Sequence, residues 1–176
     1  SLFTFANFLF SAEPTKAVSS KIIVSSQDKR LSGQLFHPKL NPNNVNSMIF
    51  VKQEKDDRQL WYIDLAKNQM NQINPVKKAE NIEDYEEESE ILFQAYTDQA
   101  QWCPVLHDGK QYITYVSAGS GNNLDIYLHQ IGSNIHTRLT SDSEVDESPI
   151  WSPDGKKIVF VSARTGQGDL YIIEDI

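Results

Sequence analysis

The residues of this sequence best suited to catalysis or metal binding are four histidines and one cysteine. His37, His107, His129 and His136 show no metal-ligand spacing of the His-Glu-x-x-His kind, so we interpret them as solvated or hydrogen-bonded residues of turns and strand ends. Cys103 has no base that the sequence places beside it, and a nucleophilic thiol needs such a partner. We therefore expect Cys103 to be a buried structural residue, and we assign the chain no catalytic residue and no metal ligand.

Two glycine-rich segments, residues 119–121 and 166–168, are the next candidates, because glycine-rich loops can bind phosphate groups. Each lies between two runs of strand character instead of between a strand and a helix, so both are predicted to be hairpin turns. The sequence also lacks the Gly-x-Ser-x-Gly pattern of a hydrolase nucleophile. We predict no bound cofactor and no enzymatic activity in this chain.

Acidic residues are concentrated in one segment. Seven of the 24 acidic residues lie within residues 80–90, and removing them leaves 17 against 16 bases. A block of like charge is typical of a solvated loop or an interaction segment, and this one lacks the residue spacing of a calcium loop. We interpret it as an insertion over about residues 76–90. Its candidate partner-binding residues are Glu83, Asp84, Glu86, Glu87 and Glu88.

Two segments, residues 103–128 and 148–173, repeat the same order of features. Each has a proline, an Asp-Gly-Lys turn, an apolar run ending in Val-Ser, a further turn containing glycine, and a strand that begins Asp-Ile-Tyr or Asp-Leu-Tyr. Pro104 and Pro149 are 45 residues apart, whereas a degenerate copy at residues 37–63, the first of the three along the chain, has its proline 66 residues before Pro104. The acidic insertion accounts for that longer spacing.

The repeated turns and strands predict an all-β fold. In the turns, proline presets φ, aspartate binds nearby backbone, and glycine takes a positive φ. The strand that follows, residues 158–161, is apolar on both alternating faces and is therefore predicted to be buried on both sides. Such strands, recurring about every 40–45 residues, are typical of propeller blades packed face to face. The residues given structural turn roles are Asp108, Gly109, Pro149, Pro153, Asp154 and Gly155.

The tryptophans are assigned to packing. Trp102 and Trp151 precede the Asp-Gly turns, where we expect them in the blade cores. Trp61 occupies the position of Tyr127 and Tyr171 in the other copies, so we expect it to pack as they do.

The third copy carries a specific resemblance. Residues 138–171, RLTSDSEVDESPIWSPDGKKIVFVSARTGQGDLY, resemble the repeat of TolB-like β-propellers. The resemblance covers residues 22–176 and is weakest in the first copy, where Asn43 and Asn44 replace Asp-Gly. It implies a non-catalytic protein-interaction module of the periplasm or bacterial envelope. It leaves two alternatives: the extracytoplasmic sensor propeller of a membrane-anchored ToxR/CadC-type regulator, or the gating propeller of a prolyl-oligopeptidase-type peptidase whose catalytic domain lies outside this chain.

The chain has three repeats, whereas a closed propeller typically has about four to eight blades. We expect three four-stranded antiparallel blades over residues 21–176, with residues 21–26 as an outer strand and the last blade one outer strand short. In such a frame an N-terminal strand completes the last blade. Three arrangements stay open: a fragment of a longer propeller, a homodimer that completes a six-bladed ring, or an open stack of three blades.

The remaining composition limits the function classes. Net charge is -8, so contact with nucleic acid is not expected, and the single cysteine excludes an internal disulfide. Residues 1–20 begin with a strongly apolar run, which we interpret as the remnant of a signal peptide, the end of a membrane anchor, or a strand. Partners are therefore expected to be proteins, with a membrane anchor upstream as a possibility.

Overall fold

The computed structural model describes residues 23–25, 29–55, 57–73, 97–118 and 123–176. In this part of the chain the regular elements are eleven β-strands. They are β1 Gln34–Asn41, β2 Asn44–Glu54, β3 Asp57–Asp64, β4 Gln69–Ile73, β5 Thr97–Trp102, β6 Tyr112–Ser117, β7 Asp125–Gln130, β8 His136–Arg138, β9 Asp146–Trp151, β10 Ile158–Ser162 and β11 Asp169–Ile173.

The strands form three antiparallel sheets, which we call the first, second and third blades. Their strand orders are β1-β2-β3-β4, β5-β6-β7-β8 and β9-β10-β11, so within each blade the strands that follow one another in sequence are paired. Strand β5 contacts both β1 and β9, which places the first strands of the three blades next to one another. This arrangement confirms the prediction of all-β propeller blades. The third blade has three strands within the described residues, in agreement with the prediction that the last blade is one outer strand short.

Three of the four apolar clusters of the described residues lie between the blades. Between the first and second blades, Ile49, Val51 and Leu60 pack against Trp102 and Tyr115. Two clusters lie between the second and third blades. One contains Cys103 and Ile158, and the other contains Val116 and Phe160. Trp102 and Trp151 are both buried, as expected. The blades are therefore held together face to face by apolar contact.

The register confirms the assignment of Trp61. Residue pairs at the same position of the three central hairpins are Phe50 with Trp61, Tyr115 with Tyr127, and Phe160 with Tyr171. Trp61 is half-buried against an apolar cluster on the first blade.

The prediction that residues 158–161 are buried on both sides is wrong. Ile158 and Phe160 are buried against the second blade, but Val159 faces the other way and is 37% exposed. Leu170 and Ile172 of β11 are also exposed, at 76% and 52%. Apolar side chains on both faces are typical of a blade that lies between two others. Within the described residues, no further sheet covers this outer face of the third blade.

Several expectations concern residues outside the blades or outside the described part of the chain. Residues 23–25 are not in a strand, so the expected outer strand over residues 21–26 is wrong at those positions. Residues 1–20, the acidic insertion and residues 119–121 lie outside the described residues. Among the residues that the structure does describe, none belongs to a helix of the length and apolarity needed to cross a membrane.

Candidate functional site

The turn at residues 152–155 shows how the repeat motif folds. The Gly155 N–H donates to the Ser152 carbonyl at 2.9 Å, and Gly155 has φ of +71°. Pro153 and Asp154 form the corner, and the Asp154 carboxylate accepts hydrogen bonds from Ser152 Oγ at 2.5 Å and from the Lys156 N–H at 3.1 Å. These hydrogen bonds, that from Ser152 first, hold the pKa of Asp154 below its ordinary value. The motif residues therefore build the scaffold at this position.

The matching turn of the second blade is tighter. His107 and Lys110 exchange two backbone hydrogen bonds at 3.1 and 2.9 Å around Asp108 and Gly109. Both central residues have positive φ, +50° and +73°, as a two-residue hairpin turn of type I′ requires. The third copy has a proline before its aspartate and the second does not, which accounts for the difference in turn shape.

Pro149 lies inside strand β9 instead of in a turn. It follows Ser148, which has φ of +57° at a bulge where β9 has one residue more than β10. His37 in β1 and Gln99 in β5 have φ of +49° and +53° at the same kind of bulge. Every blade thus has one bulge in its first strand, and bulges typically re-aim a side chain.

At these bulges a polar cluster joins the first strands of the three blades and includes Arg58 of β3. Its centre is Asp98, whose side chain is 3% exposed. The Arg58 guanidinium of the first blade donates to Asp98 at 2.7 Å, His37 Nδ1 lies 3.0 Å from the same carboxylate, and the Gln99 N–H donates to it at 2.7 Å. Gln99 Nε2 in turn donates to Glu147 of the third blade at 3.4 Å. We call these five residues the inner-strand cluster.

The inner-strand cluster joins successive blades through side chains that keep access to solvent. The His37 side chain is 59% exposed and that of Arg58 is 36% exposed. A buried carboxylate held by a cation and a backbone N–H is a fixed acceptor, and the exposed part of the His37 side chain faces solvent beside it. Sequence reasoning missed this cluster, because Asp98 lies 40 residues from Arg58 and the acidic and basic partners belong to different repeats.

Cys103 is buried, as expected. Its Sγ lies 3.5 Å from His107 Nε2, and burial raises the pKa of the thiol above its ordinary value. A raised thiol pKa disfavours the thiolate at neutral pH, which is the opposite of what a nucleophile needs. In the part of the chain that the structure describes, no three His, Cys, Asp or Glu residues are grouped as a metal site would require. The proposed partner-binding residues Glu83, Asp84, Glu86, Glu87 and Glu88 lie outside that part.

Three face-to-face antiparallel sheets with adjoining first strands define the chain as a set of β-propeller blades. No protein-family model matches it. It is similar to a TolB homolog of Chlorobium luteolum, 42% identical over 50 residues, which cover 28% of this chain and 12% of the relative. It is also similar to the Tol-Pal system protein TolB of Francisella tularensis, 30% identical over 94 residues, which cover 52% of this chain and 21% of the relative.

Among solved structures, TolB from Acinetobacter baumannii matches with a TM-score of 0.56 and 21% identity, over 81% of this chain and 30% of that one. This likeness shows the fold. Together with the curated relatives, it shows that the blades of this chain are TolB-like propeller repeats. The chain spans 12% and 21% of the length of the two curated relatives above.

Proposed function

We propose that this chain is a non-catalytic protein-interaction module of the bacterial envelope, located in the periplasm. The observation that carries the proposal is its similarity over 94 residues to a protein of the Tol-Pal system. A propeller scaffold does not by itself define a function, so the proposal also needs a surface. The inner-strand cluster supplies one, because it presents exposed cationic and hydrogen-bonding groups at the adjoining first strands of three blades.

The partner class is a protein segment with carboxylate or amide groups. The side chain of Arg58 is 36% exposed while it donates to Asp98 and Gln53, and arginine is enriched at interaction hot spots. His37 offers its second ring nitrogen beside this arginine. A rigid backbone supports both side chains, since the two belong to strands of one sheet, and this lowers the entropy lost on binding.

The test is direct binding of the purified chain to the purified Tol and Pal proteins of the same organism, followed by biolayer interferometry. We expect saturable binding that weakens at least tenfold in His37→Ala, about 1.4 kcal/mol of binding free energy. Lys157→Ala is the matched control, because Lys157 is a cation of the third blade that pairs with Glu174 and not with a residue of the inner-strand cluster. Absence of binding to every Tol and Pal protein, or equal binding by both variants, would reject the proposal.

We further propose that a second copy of the chain covers the outer face of the third blade. Ile150, Val159, Leu170 and Ile172 are all exposed there. Such a contiguous apolar face favours association, and a sheet face of this kind packs in propellers against another blade. The sensor and gating alternatives stay predictions; a catalytic domain or an anchor in the flanking reading frame would favour one of them.

A further inference from the structure

A polar cleft lies between the outer strands of the first and second blades. Its wall on the first blade comes from β3, β4 and the turn between them, and its wall on the second blade comes from β7, β8 and their turn. The volume of the cleft is about 790 Å³, within the range of about 300–1,000 Å³ that is typical of sites for small organic ligands. The cleft is therefore large enough to bind a small molecule of this kind.

The described residues that line the cleft leave no charge unpaired. Among them, the one carboxylate and the one ammonium group form a salt bridge, with Lys67 Nζ 3.3 Å from Asp64 Oδ2. The other polar side chains of the lining are hydroxyls, amides and imidazoles, such as those of Tyr62, Asn71 and Gln72. An ion would find no free counter-charge here, so the lining favours a neutral ligand with many hydrogen-bonding groups.

Two imidazoles form a pair on the second-blade wall of the cleft. His129 in β7 and His136 in β8 are direct partners in the strand register, and their rings are stacked with centroids 4.3 Å apart. Burial, and secondarily repulsion from His129, lowers the pKa of His136 to about 4. Burial also lowers the pKa of His129 below its ordinary value. Both rings are therefore neutral at neutral pH, and a neutral imidazole has one N–H donor and one acceptor nitrogen.

The protein fixes which nitrogen of each ring carries the proton. His129 Nδ1 lies 3.0 Å from the Ile135 carbonyl oxygen, which can only accept, so His129 carries its proton on Nδ1. His136 Nδ1 lies 2.9 Å from the hydroxyl oxygen of the fully buried Tyr115, whose O–H has no other acceptor among the described residues. Because a buried hydroxyl donates its proton to an available acceptor, Tyr115 donates to Nδ1 and the His136 proton lies on Nε2. His129 Nε2 is thus an acceptor, and His136 Nε2–H is a donor.

Both Nε2 atoms are in contact with solvent. Neither has a hydrogen-bond partner in the part of the chain that the structure describes. In the same part, the buried side-chain nitrogens and oxygens without a partner are Thr114 Oγ1 and Trp151 Nε1, so the two unpartnered Nε2 atoms are not buried. The cleft is a solvent space that both residues line, and it therefore meets a donor and an acceptor on neighbouring rings.

We propose that this cleft binds a neutral saccharide through two adjacent hydroxyl groups. One hydroxyl accepts from His136 Nε2–H, and its neighbour donates to His129 Nε2. Each nitrogen binds its own hydroxyl, so the two nearly parallel rings, inclined by 13°, do not need to point to one atom. The Asn71 and Gln72 amides offer donors and acceptors to further hydroxyls, and the Tyr62 ring offers apolar surface to the C–H groups of the sugar. Since the protein already holds both Nδ1 atoms, little side-chain freedom is lost on binding.

The test is titration of the purified chain, by isothermal calorimetry, with the neutral trisaccharides maltotriose, cellotriose, mannotriose and chitotriose. We expect saturable binding of at least one of them, with a single site per chain. Tetraethylene glycol, which has ether oxygens but no adjacent hydroxyls, is the matched control ligand, and triglycine is the control for a peptide; neither is expected to bind. Binding of no saccharide, or equal binding of either control ligand, would overturn the proposal.

Variants test the contribution of the two rings. His136→Phe keeps a ring of similar shape but removes the donor, so we expect about tenfold weaker saccharide binding, as for one lost hydrogen bond. Tyr115→Phe removes the hydroxyl that places the His136 proton on Nε2 and should weaken binding severalfold. His107→Phe is the matched control, because His107 also packs against an aromatic ring but does not line the cleft, and it should bind like the wild type. Unchanged binding in His136→Phe, or an equal loss in His107→Phe, would reject the site.

A spectroscopic readout on the wild-type chain does not depend on whether a variant folds. In ¹H–¹⁵N spectra of the imidazoles, we expect the proton on Nδ1 of His129 and on Nε2 of His136. The saccharide that binds should shift the Nε2 resonances of both rings and leave those of His107 unchanged. The opposite tautomer at His136, or equal shifts at every histidine, would refute the assignment.

Discussion

The two Asp-Gly turns allow a controlled test of how the third blade packs against the second. Gly155 and Gly109 have nearly the same backbone conformation, with φ of +71° and +73°. A Cβ added at Gly109 meets nothing within 4 Å, whereas one at Gly155 overlaps Val105 Cγ2 and lies 2.9 Å from Cys103 Sγ and 3.0 Å from His107 Nε2. Alanine at the two sites therefore shares the backbone strain but differs in the contact between blades.

The expected magnitudes follow from these two contributions. A left-handed conformation costs an alanine about 1–2 kcal/mol, offset by about 0.4–1 kcal/mol because alanine restricts the unfolded chain. Gly109→Ala should thus lower the free energy of unfolding by about 1 kcal/mol. At Gly155 the overlap with a packed core adds about 1–3 kcal/mol, for a total loss of about 2–4 kcal/mol.

The assay is urea unfolding followed by the fluorescence of the three tryptophans, of which Trp151 lies beside the altered turn. Adding Val105→Ala to Gly155→Ala should recover part of the lost stability, because it removes the nearest atom, and the same change should not rescue Gly109→Ala. Equal losses at the two glycines, or no recovery with Val105→Ala, would refute the contact that we assign to the Gly155 turn.

Three further predictions concern the charges and the exposed face. Arg58→Met leaves the buried carboxylate of Asp98 without its cation, so urea unfolding should show a loss of about 1–3 kcal/mol. The lowered pKa of Asp154 means that its stabilising effect is complete above the ordinary value of 3.8 and is lost as the pH falls below it; melting temperatures from pH 5 to 2 should fall less steeply in Asp154→Asn. Leu170→Glu should shift sedimentation equilibrium toward monomer and Leu40→Glu should not, although both side chains are exposed; equal shifts would contradict the proposed pairing.

Local chemistry made the turns and the strand register predictable from sequence. Asp-Gly dipeptides set the turns because few other residues tolerate positive φ, and the observed values at Asp108, Gly109 and Gly155 agree with this. The match of Trp61 with Tyr127 depended only on spacing from the turns, which antiparallel pairing preserves.

Contacts between repeats were not predictable in the same way. Gln99 has φ of +53° at the bulge of β5 although glutamine is no turn signal, so the residue type gives no local sign of the bulge. His129 and His136 are seven residues apart, and only the hairpin register places their rings together. The sequence shows this separation directly. The pairing of the two residues, however, depends on where β7 ends and on the short strand β8, and the sequence pattern defines both poorly.

The inner-strand bulges connect the fold to the proposed function. At the bulge of β5 the consecutive residues Asp98 and Gln99 bind different blades, because Asp98 accepts from Arg58 of the first blade and Gln99 donates to Glu147 of the third. The same carboxylate thereby fixes the arginine and the histidine that face solvent. A partner that engages Arg58 or His37 must therefore act on a contact that also joins two blades, so binding and blade packing are coupled through Asp98.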